Sequence, residues 1–381
     1  MPDRSFLSWP FFEPRHRELA DTIQRWCEEK LPDPTGDLDA DCSNLVGELG
    51  AAGFLKLCVA DGKHRPDVRS LAIARETLAY HSALADFAFA MQGLGSGAIS
   101  LFGTVEQKRD RLPRVAAGKA IAAFAMTEPE CGSDAANIQT SAMKDGNEWV
   151  LVGEKTYISN GGIADFYVTF ARTGEGEGAR GLSAFIVPAD AVEVAERIEV
   201  IAPHPLARLK YDNVRIPADA IIGEPGEGFR IGMETLNLFR VTVGAAALGL
   251  ARRALDEALS WAIKRRLGNA TLADNAVTQE KLANMALAVD ASALFVYRAA
   301  WQQDVGGADN RRAAAMAKLH STESAQQVID AAVQMHGGAG VTKGAKVEEL
   351  YRDIRALRIY EGASEVQRQI IAHDLLKGAS R

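Results

Sequence analysis

The chain has 381 residues, 47% of them apolar and 24% charged, which is enough to bury a large core and too much for one simple bundle, so two or three domains are expected. Its formal net charge of -7 supplies no basic field for nucleic acid or an anionic membrane, while leaving room for a local basic pocket that takes a phosphorylated ligand. Cys27, Cys42, Cys58 and Cys131 lack CxxC spacing, so neither a disulfide framework nor a zinc site is indicated and reduced thiols are expected.

The first residues, MPDRSFLSWPFFEPRHREL, mix acids and bases without an apolar leader core. No later apolar run approaches the about 20 residues of a membrane span, so a soluble cytoplasmic protein is expected. From Glu18 to about Gly118 the apolar spacing is helical in RELADTIQRWCEEKL, SNLVGELGAAGFL and SLAIARETLAYHSAL. Between Asn147 and about Gly223 the texture changes to WVLVGEKTYIS, DFYVTFART, LSAFIVPAD, RIEVIA and KYDNVRIP, short β-rich runs between Gly, Asp and Pro breakers. After GEPGEGF the helical period returns in three long segments and a final pair around Glu361. The predicted class is α+β, mainly α: an N-terminal helical domain over 1–121, a middle β-domain over 122–224 and a C-terminal helical bundle over 225–381.

Three glycine groups, GEGEGARG, GEPGEGFRIG and GGAGVTKG, fail as nucleotide fingerprints. None has the strand-turn-helix setting of a dinucleotide turn, and Lys343 is followed by Gly344 where a phosphate loop needs Ser or Thr. The first two are read as a hairpin loop and the start of a helix. The seven histidines form no HExxH or paired-ligand pattern, and GxSxG is absent, so metal hydrolysis and serine acyl transfer drop out and no metal is expected.

Four segments carry the remaining chemistry. FAMTEPECGSD, Phe124 to Asp134, offers hydroxyls and exposed backbone to a polar planar ligand, or else a capped turn. EKTYISNGG, Glu154 to Gly162, places Tyr157 and Ser159 on one face of a strand, or else forms an ordinary Asn-Gly hairpin. VQMHGGAGV, Val333 to Val341, has a glycine pair that suits a helix stop. ALRIYEGASEVQ interrupts two helical runs with Glu361, which alone reads as a solvated cap.

Taken together and in this order, these segments resemble the acyl-CoA dehydrogenase family of flavoproteins over nearly the whole chain, with GAAALGLARRALDEALSWAIKRR resembling that family's first long C-terminal helix. The resemblance implies a helical N-terminal domain, a β-barrel-like middle domain and a C-terminal four-helix bundle, with FAD between the β-domain and the helical domains. Phe124, Met126, Thr127 and Ser133 would meet the flavin and its chain, Tyr157 and Ile158 would pack beside the ring, and Ser159 would sit near the reacting N5. Arg265 would meet the pyrophosphate of a neighbouring subunit's FAD, and Gln334, Gly337 and Gly338 its adenine side. Gly362, Ser364 and Glu365 are also assigned to the cofactor.

Glu361 matches the catalytic base, which takes the proton next to the thioester carbonyl while a hydride leaves the adjacent carbon; Ser133, Asn237, Arg240, Tyr360 and Gly362 would meet substrate. Where some relatives carry the base on the first long C-terminal helix, this chain has Phe239. The implied reaction converts an acyl-CoA to the trans-2-enoyl-CoA in fatty acid metabolism, with electrons passing to an electron-transfer flavoprotein, in a homotetramer. An oxidase using O2 and a non-catalytic flavin-binding assembly factor are the alternatives on the same fold.

Three departures are visible. APHPLARLK replaces a Met-Gly-x-Arg-x-Ser-x-Thr segment that borders the CoA channel, Leu267-Gly268 lies in shifted register, and Ala363 stands for the usual Thr. The small residues of AFAMQGLGSGAIS, Ala88 to Ser100, suit either a roomy acyl pocket or close helix packing.

Overall fold

The computed structural model describes residues 3–60, 65–306 and 310–379. In chain order the first helices are α1 (Pro14–Lys30), α2 (Leu38–Ala51), α3 (Val68–His81), α4 (Ala83–Phe102) and α5 (Val105–Ala116). Each starts where the sequence offers a cap. Asp37 accepts from the Asp39 and Ala40 N–H groups, Asp67 accepts from the Ser70 N–H, and Thr104 and Gln107 form a reciprocal capping box.

The strands follow: β1 (Ala122–Ala125), β2 (Ser141–Asp145), β3 (Glu148–Ser159), β4 (Phe166–Arg172), β5 (Leu182–Pro188), β6 (Glu193–Arg197), β7 (Leu206–Pro217) and β8 (Ile221–Ile222). Then come α6 (Gly228–Lys264), a small hairpin of β9 (Arg266–Leu267) and β10 (Ala270–Thr271), α7 (Ala276–Val305), α8 (Arg311–His336), α9 (Lys346–Leu357) and α10 (Ser364–Ala379).

The chain divides into two compact units. One comprises Met1–Leu31, Asp67–Asp86 and Arg240–Arg381, and the other Pro32–Pro66 and Phe87–Phe239. In the first, α8 packs against α7, α9 and α10, while α3 packs against α1 and α7. The buried face of α8 is built largely from alanine and small hydroxyl residues, which lets helices approach closely.

In the second unit the strands form one sheet in the order β6-β7-β3-β2-β4-β5-β8, with β1 added in parallel to β4. Side-chain alternation along β4 feeds two cores. Phe166, Val168 and Phe170 join Ile99, Leu112 and Ile231, whereas Tyr167 and Ala171 join Trp149, Leu209 and Tyr211. GEGEGARG is the loop of the β4–β5 hairpin, and α6 begins inside GEPGEGFRIG. The Asn-Gly pair makes no hairpin: β3 pairs with β2 and β7, and the chain passes on to β4 beside β1 and β5.

One sequence expectation needs correction. Helix α7 contains a window apolar and long enough, by composition and length, to cross a membrane, with mean hydropathy 1.2. Its apolarity comes mainly from alanine and is broken by charged residues, so no continuous apolar run marks it; in the structure Met285, Val289, Ala293, Val296 and Tyr297 are buried.

Candidate active site

Between α9 and α10 the chain makes a turn with two successive left-handed residues, Glu361 (φ 51) and Gly362 (φ 92). Glycine adopts this conformation freely, whereas for an L residue such as Glu it is unfavourable by roughly 1–2 kcal/mol. Surrounding contacts hold it. Lys318 Nζ and Gln367 Nε2 each donate to the Gly362 carbonyl at 2.8 Å. Glu323 accepts from the Ser364 hydroxyl and pairs with Arg358 at 2.7 Å, so α8 grips both ends of the turn. The φ of 92 at position 362 favours glycine, and a Cβ there would also have to displace Gln367 Nε2, 2.4 Å away, from its bond to the Gly362 carbonyl.

Glu361 is half-buried, and its Oε2 is buried without a protein hydrogen-bond partner. Burial raises the carboxyl above its ordinary range; Arg75, Lys318 and Arg240 pull it down, and Asp86 pushes it up. Arg75 is itself buried. Its Nε and Nη2 donate to the two Asp86 oxygens at 2.8 Å each, and Nη1 donates to Thr242 Oγ1 at 3.1 Å. Burial disfavours the Arg75 charge, but Asp86 outweighs that effect and the guanidinium is held raised. Burial also lowers Lys318 to about 8, lowers Arg240, and raises the Tyr360 hydroxyl. The outcome is a carboxyl made more basic by burial, with three cations that draw it partly back.

In the sheet unit, the FAMTEPECGSD and EKTYISNGG segments are tied together. The Thr156 N–H donates to the Thr127 carbonyl at 2.9 Å. Lys155, fully buried, donates from Nζ to the Met126 carbonyl at 3.0 Å and to Glu128 Oε1 at 2.8 Å. Burial pulls Lys155 down to about 8 against the opposing charge of Glu128. For Glu128, burial raises the carboxyl, but Lys155 and the Gln139 and Thr140 N–H groups hold it below its usual range.

The expected strand alternation breaks here. A bulge against β7 between Lys155 and Ile158 buries Lys155 and Thr156 in succession and turns Tyr157 outward with φ 55. Tyr157 is 62% exposed, Ile158 and Met126 are buried, Phe124, Thr127 and Ser159 are half-buried, and Ser133 is exposed. Asn160 Nδ2 donates to the Ala122 carbonyl at 2.9 Å, and its Oδ1 is buried without a partner. An exposed aromatic ring beside half-buried hydroxyls, with the loop's buried carboxylate already neutralised, fits the uncharged planar ring of FAD.

A third group lies at the far end of α6. Arg265 is exposed just beyond the helix, with its guanidinium 5.9 Å from the Trp261 ring centre. His336 stacks on the same ring at 4.6 Å, immediately before Gly337, where φ 60 ends α8. Gln334, Gly337 and Gly338 are exposed. Arg265 and the 334–338 segment are thus brought to one place through Trp261. Asn237 is half-buried on α6, Arg240 is buried, Tyr360 is half-buried, Ser364 is buried and Glu365 is exposed.

Phe239 answers the question of the small residues in α4. A Cβ on Gly93 would lie 2.6 Å from the Phe239 ring and one on Gly97 3.0 Å from it, while Gly95 abuts the Ala122 carbonyl carbon and Ala123 nitrogen. These glycines serve close packing.

Sequence reading missed Lys318, Glu323, Arg75, Asp86 and Thr242 around the turn, and gave Lys155 and Glu128 no role. For Lys318 a signal existed. It falls among Ala314, Ala315, Ala317, Ser321, Thr322 and Ala325, at helical spacing on the buried face.

Profiles of the acyl-CoA dehydrogenase N-terminal, middle and C-terminal domains match residues 13–119, 123–214 and 226–376. The chain is 36% identical over 371 residues to a probable acyl-CoA dehydrogenase, fadE25, of Mycobacterium leprae, covering 95% of each chain. Butyryl-CoA dehydrogenase from Megasphaera elsdenii has a similar structure, with TM-score 0.89 and 30% identity over 96% of this chain and 99% of that one. A glutaryl-CoA dehydrogenase from Mycobacterium smegmatis in complex with FADH2 matches with TM-score 0.87 and 27% identity over 96% of this chain and 95% of that one.

Proposed function

The chain belongs to the acyl-CoA dehydrogenase family, FAD-binding oxidoreductases that act on acyl-CoA, and on that premise we propose that it oxidises an acyl-CoA thioester to the trans-2-enoyl-CoA with Glu361 as the base. The observation that carries this reading is the Glu361 carboxylate. It has one buried, unpartnered oxygen and sits in a left-handed turn where its own backbone N–H donates to no carbonyl or side chain among the described residues. An unpartnered carboxylate oxygen can take a proton, and a free N–H can polarise a thioester carbonyl.

In this reading the α C–H bond of the thioester breaks, the proton passes to Glu361, and the bonding pair becomes the new α,β double bond as hydride leaves the β carbon. Bound FAD supplies the acceptor for that hydride. Thr127, Ser133, Tyr157, Ile158 and Ser159 orient the ring, with Phe124 and Met126 behind them. Arg265, Gln334, Gly337 and Gly338 serve the neighbouring subunit's cofactor in a homotetramer, and Gly362, Ser364 and Glu365 meet the cofactor of their own. Arg240, Asn237, Tyr360, Ser133 and Gly362 position the acyl-CoA. An electron-transfer flavoprotein then removes the electrons.

Phe239 cannot take a proton, and its ring is packed against Gly93 and Gly97, which leaves Glu361 as the base of this reading. The test is anaerobic mixing of the yellow protein with straight, branched, cyclic and aromatic acyl-CoAs. At least one should bleach the flavin, and Glu361→Gln should abolish bleaching while FAD stays bound. Bleaching at the normal rate by Glu361→Gln would remove Glu361 from the mechanism.

A further inference from the structure

Lys318 has no solvent-exposed surface and stands on the alanine face of α8, a place where an ammonium is costly unless it does something there. Its hydrogen bond goes to a neutral acceptor, the Gly362 carbonyl, at 2.8 Å. Gln367 already donates to that carbonyl at the same distance without carrying charge. Holding the turn therefore does not by itself require a lysine. The charged groups that face Lys318 are Glu361 from the turn, Arg240 from α6, Glu323 from its own helix and Glu365 from α10. Those that face Glu361 are Arg75 from α3, Lys318 from α8, Arg240 from α6 and Asp86 from α4.

We propose that Lys318 is the positioning residue of the base: its ammonium pins the Gly362 carbonyl, holds Glu361 in its left-handed turn, and sets a positive charge near the carboxylate. This rests on the reading of Glu361 as base. Lys318 transfers no proton and touches no reacting atom. Its charge lowers the Glu361 pKa against the burial that raises it. Its two tasks separate chemically, because Gln367 shares the first and lacks the second.

The experiment uses the full-length FAD-loaded protein and the acyl-CoA that bleaches it fastest, comparing Lys318→Met, Lys318→Arg, Gln367→Leu and Glu361→Gln by anaerobic stopped flow across pH. Loss of the cation raises the Glu361 pKa, so Lys318→Met should move the acidic limb of the rate profile to higher pH. It should also lower the limiting rate by about 100-fold, the scale of a misplaced catalytic group. Gln367→Leu should slow the reaction less and leave the limb in place, and Lys318→Arg, which keeps the charge, should restore the limb. Amide hydrogen exchange at Tyr360 and Ser364, whose N–H groups donate to the Ala356 and Arg358 carbonyls on either side of the turn, should quicken in Lys318→Met, a change independent of turnover. A wild-type limb and rate in Lys318→Met, or, should that variant not fold, a limb in Lys318→Arg displaced as far as in a Lys318→Gln variant, overturns the proposal. If Glu361→Gln still bleaches, the base assignment itself fails. If Glu361→Gln is silent while Lys318→Met behaves as wild type, only the role of Lys318 fails.

Discussion

Lys155 Nζ lies 2.8 Å from Glu128 Oε1, and the pair is buried, so one ion pair fixes the loop after β1 to the bulged strand that presents Tyr157. Removing one partner of a buried pair leaves the other charge uncompensated, at a cost of about 3–5 kcal/mol. Lys155→Met should therefore lower the melting temperature and, by freeing Thr127 from its place beside Thr156, loosen FAD. The double variant Lys155→Met with Glu128→Gln should be less damaged than Lys155→Met alone. Thermal melts and FAD titration of the apoprotein measure both effects. A single variant that melts and binds FAD as wild type would show that the pair holds nothing in place.

Gly93 and Phe239 give a packing prediction. A methyl group on Gly93 would meet the Phe239 ring at 2.6 Å, too close for a rigid ring in a buried setting to tolerate. Gly93→Ala should destabilise by roughly 1–3 kcal/mol, the range for overpacked cores. Adding Phe239→Leu should recover part of that loss, because the two residues share one contact. Denaturant melts of both variants would show it. If Phe239→Leu adds to the loss instead, the strain lies elsewhere.

Tyr157 makes the opposite case. Its ring is 62% exposed, so its removal takes little from the folded apoprotein, within about 0.5 kcal/mol for a surface site. The same ring is offered to the flavin in the proposed function. Tyr157→Ala should weaken FAD binding several-fold in a fluorescence titration while leaving the apoprotein melt nearly unchanged. A large fall in apoprotein stability would mean that the ring serves the fold instead.

Much of this was legible in the sequence, unevenly and for physical reasons. Helical period located the helical segments, and the order of four motifs pointed to the family and to Glu361. Period 2 breaks at Lys155 and Thr156, buried in succession where a bulge adds one residue against β7, which nothing in EKTYISNGG announces; beyond it exposed Tyr157 and buried Ile158 alternate again. Asn160-Gly161 read as a hairpin turn, yet Asn160 is buried and anchors the Ala122 carbonyl of β1. Lys318 is hard to single out because lysine is rarely buried, so a lysine among alanines reads as an ordinary helical position. The Arg75–Asp86 pair joins two helices close in sequence, but its nearness to Glu361 depends on tertiary packing that local pattern does not encode.

Glu361 should weaken the fold it serves. Its carboxyl is raised by burial, so between the unfolded value near 4.5 and the higher folded value the native state holds more protons than the unfolded one. Stability contributed by this group is therefore full below 4.5, declines as pH rises through the folded pKa, and stays lost above it. Glutamine keeps the shape and removes the titration, although the left-handed backbone strain stays. Glu361→Gln apoprotein should thus melt higher than wild type at pH values above the folded pKa, and the difference should shrink as pH falls toward 4.5. Melting temperatures of the two apoproteins across that range provide the check. A difference that is constant with pH would mean that the carboxyl titrates alike in the folded and unfolded chains, and that the buried oxygen is no source of its basicity.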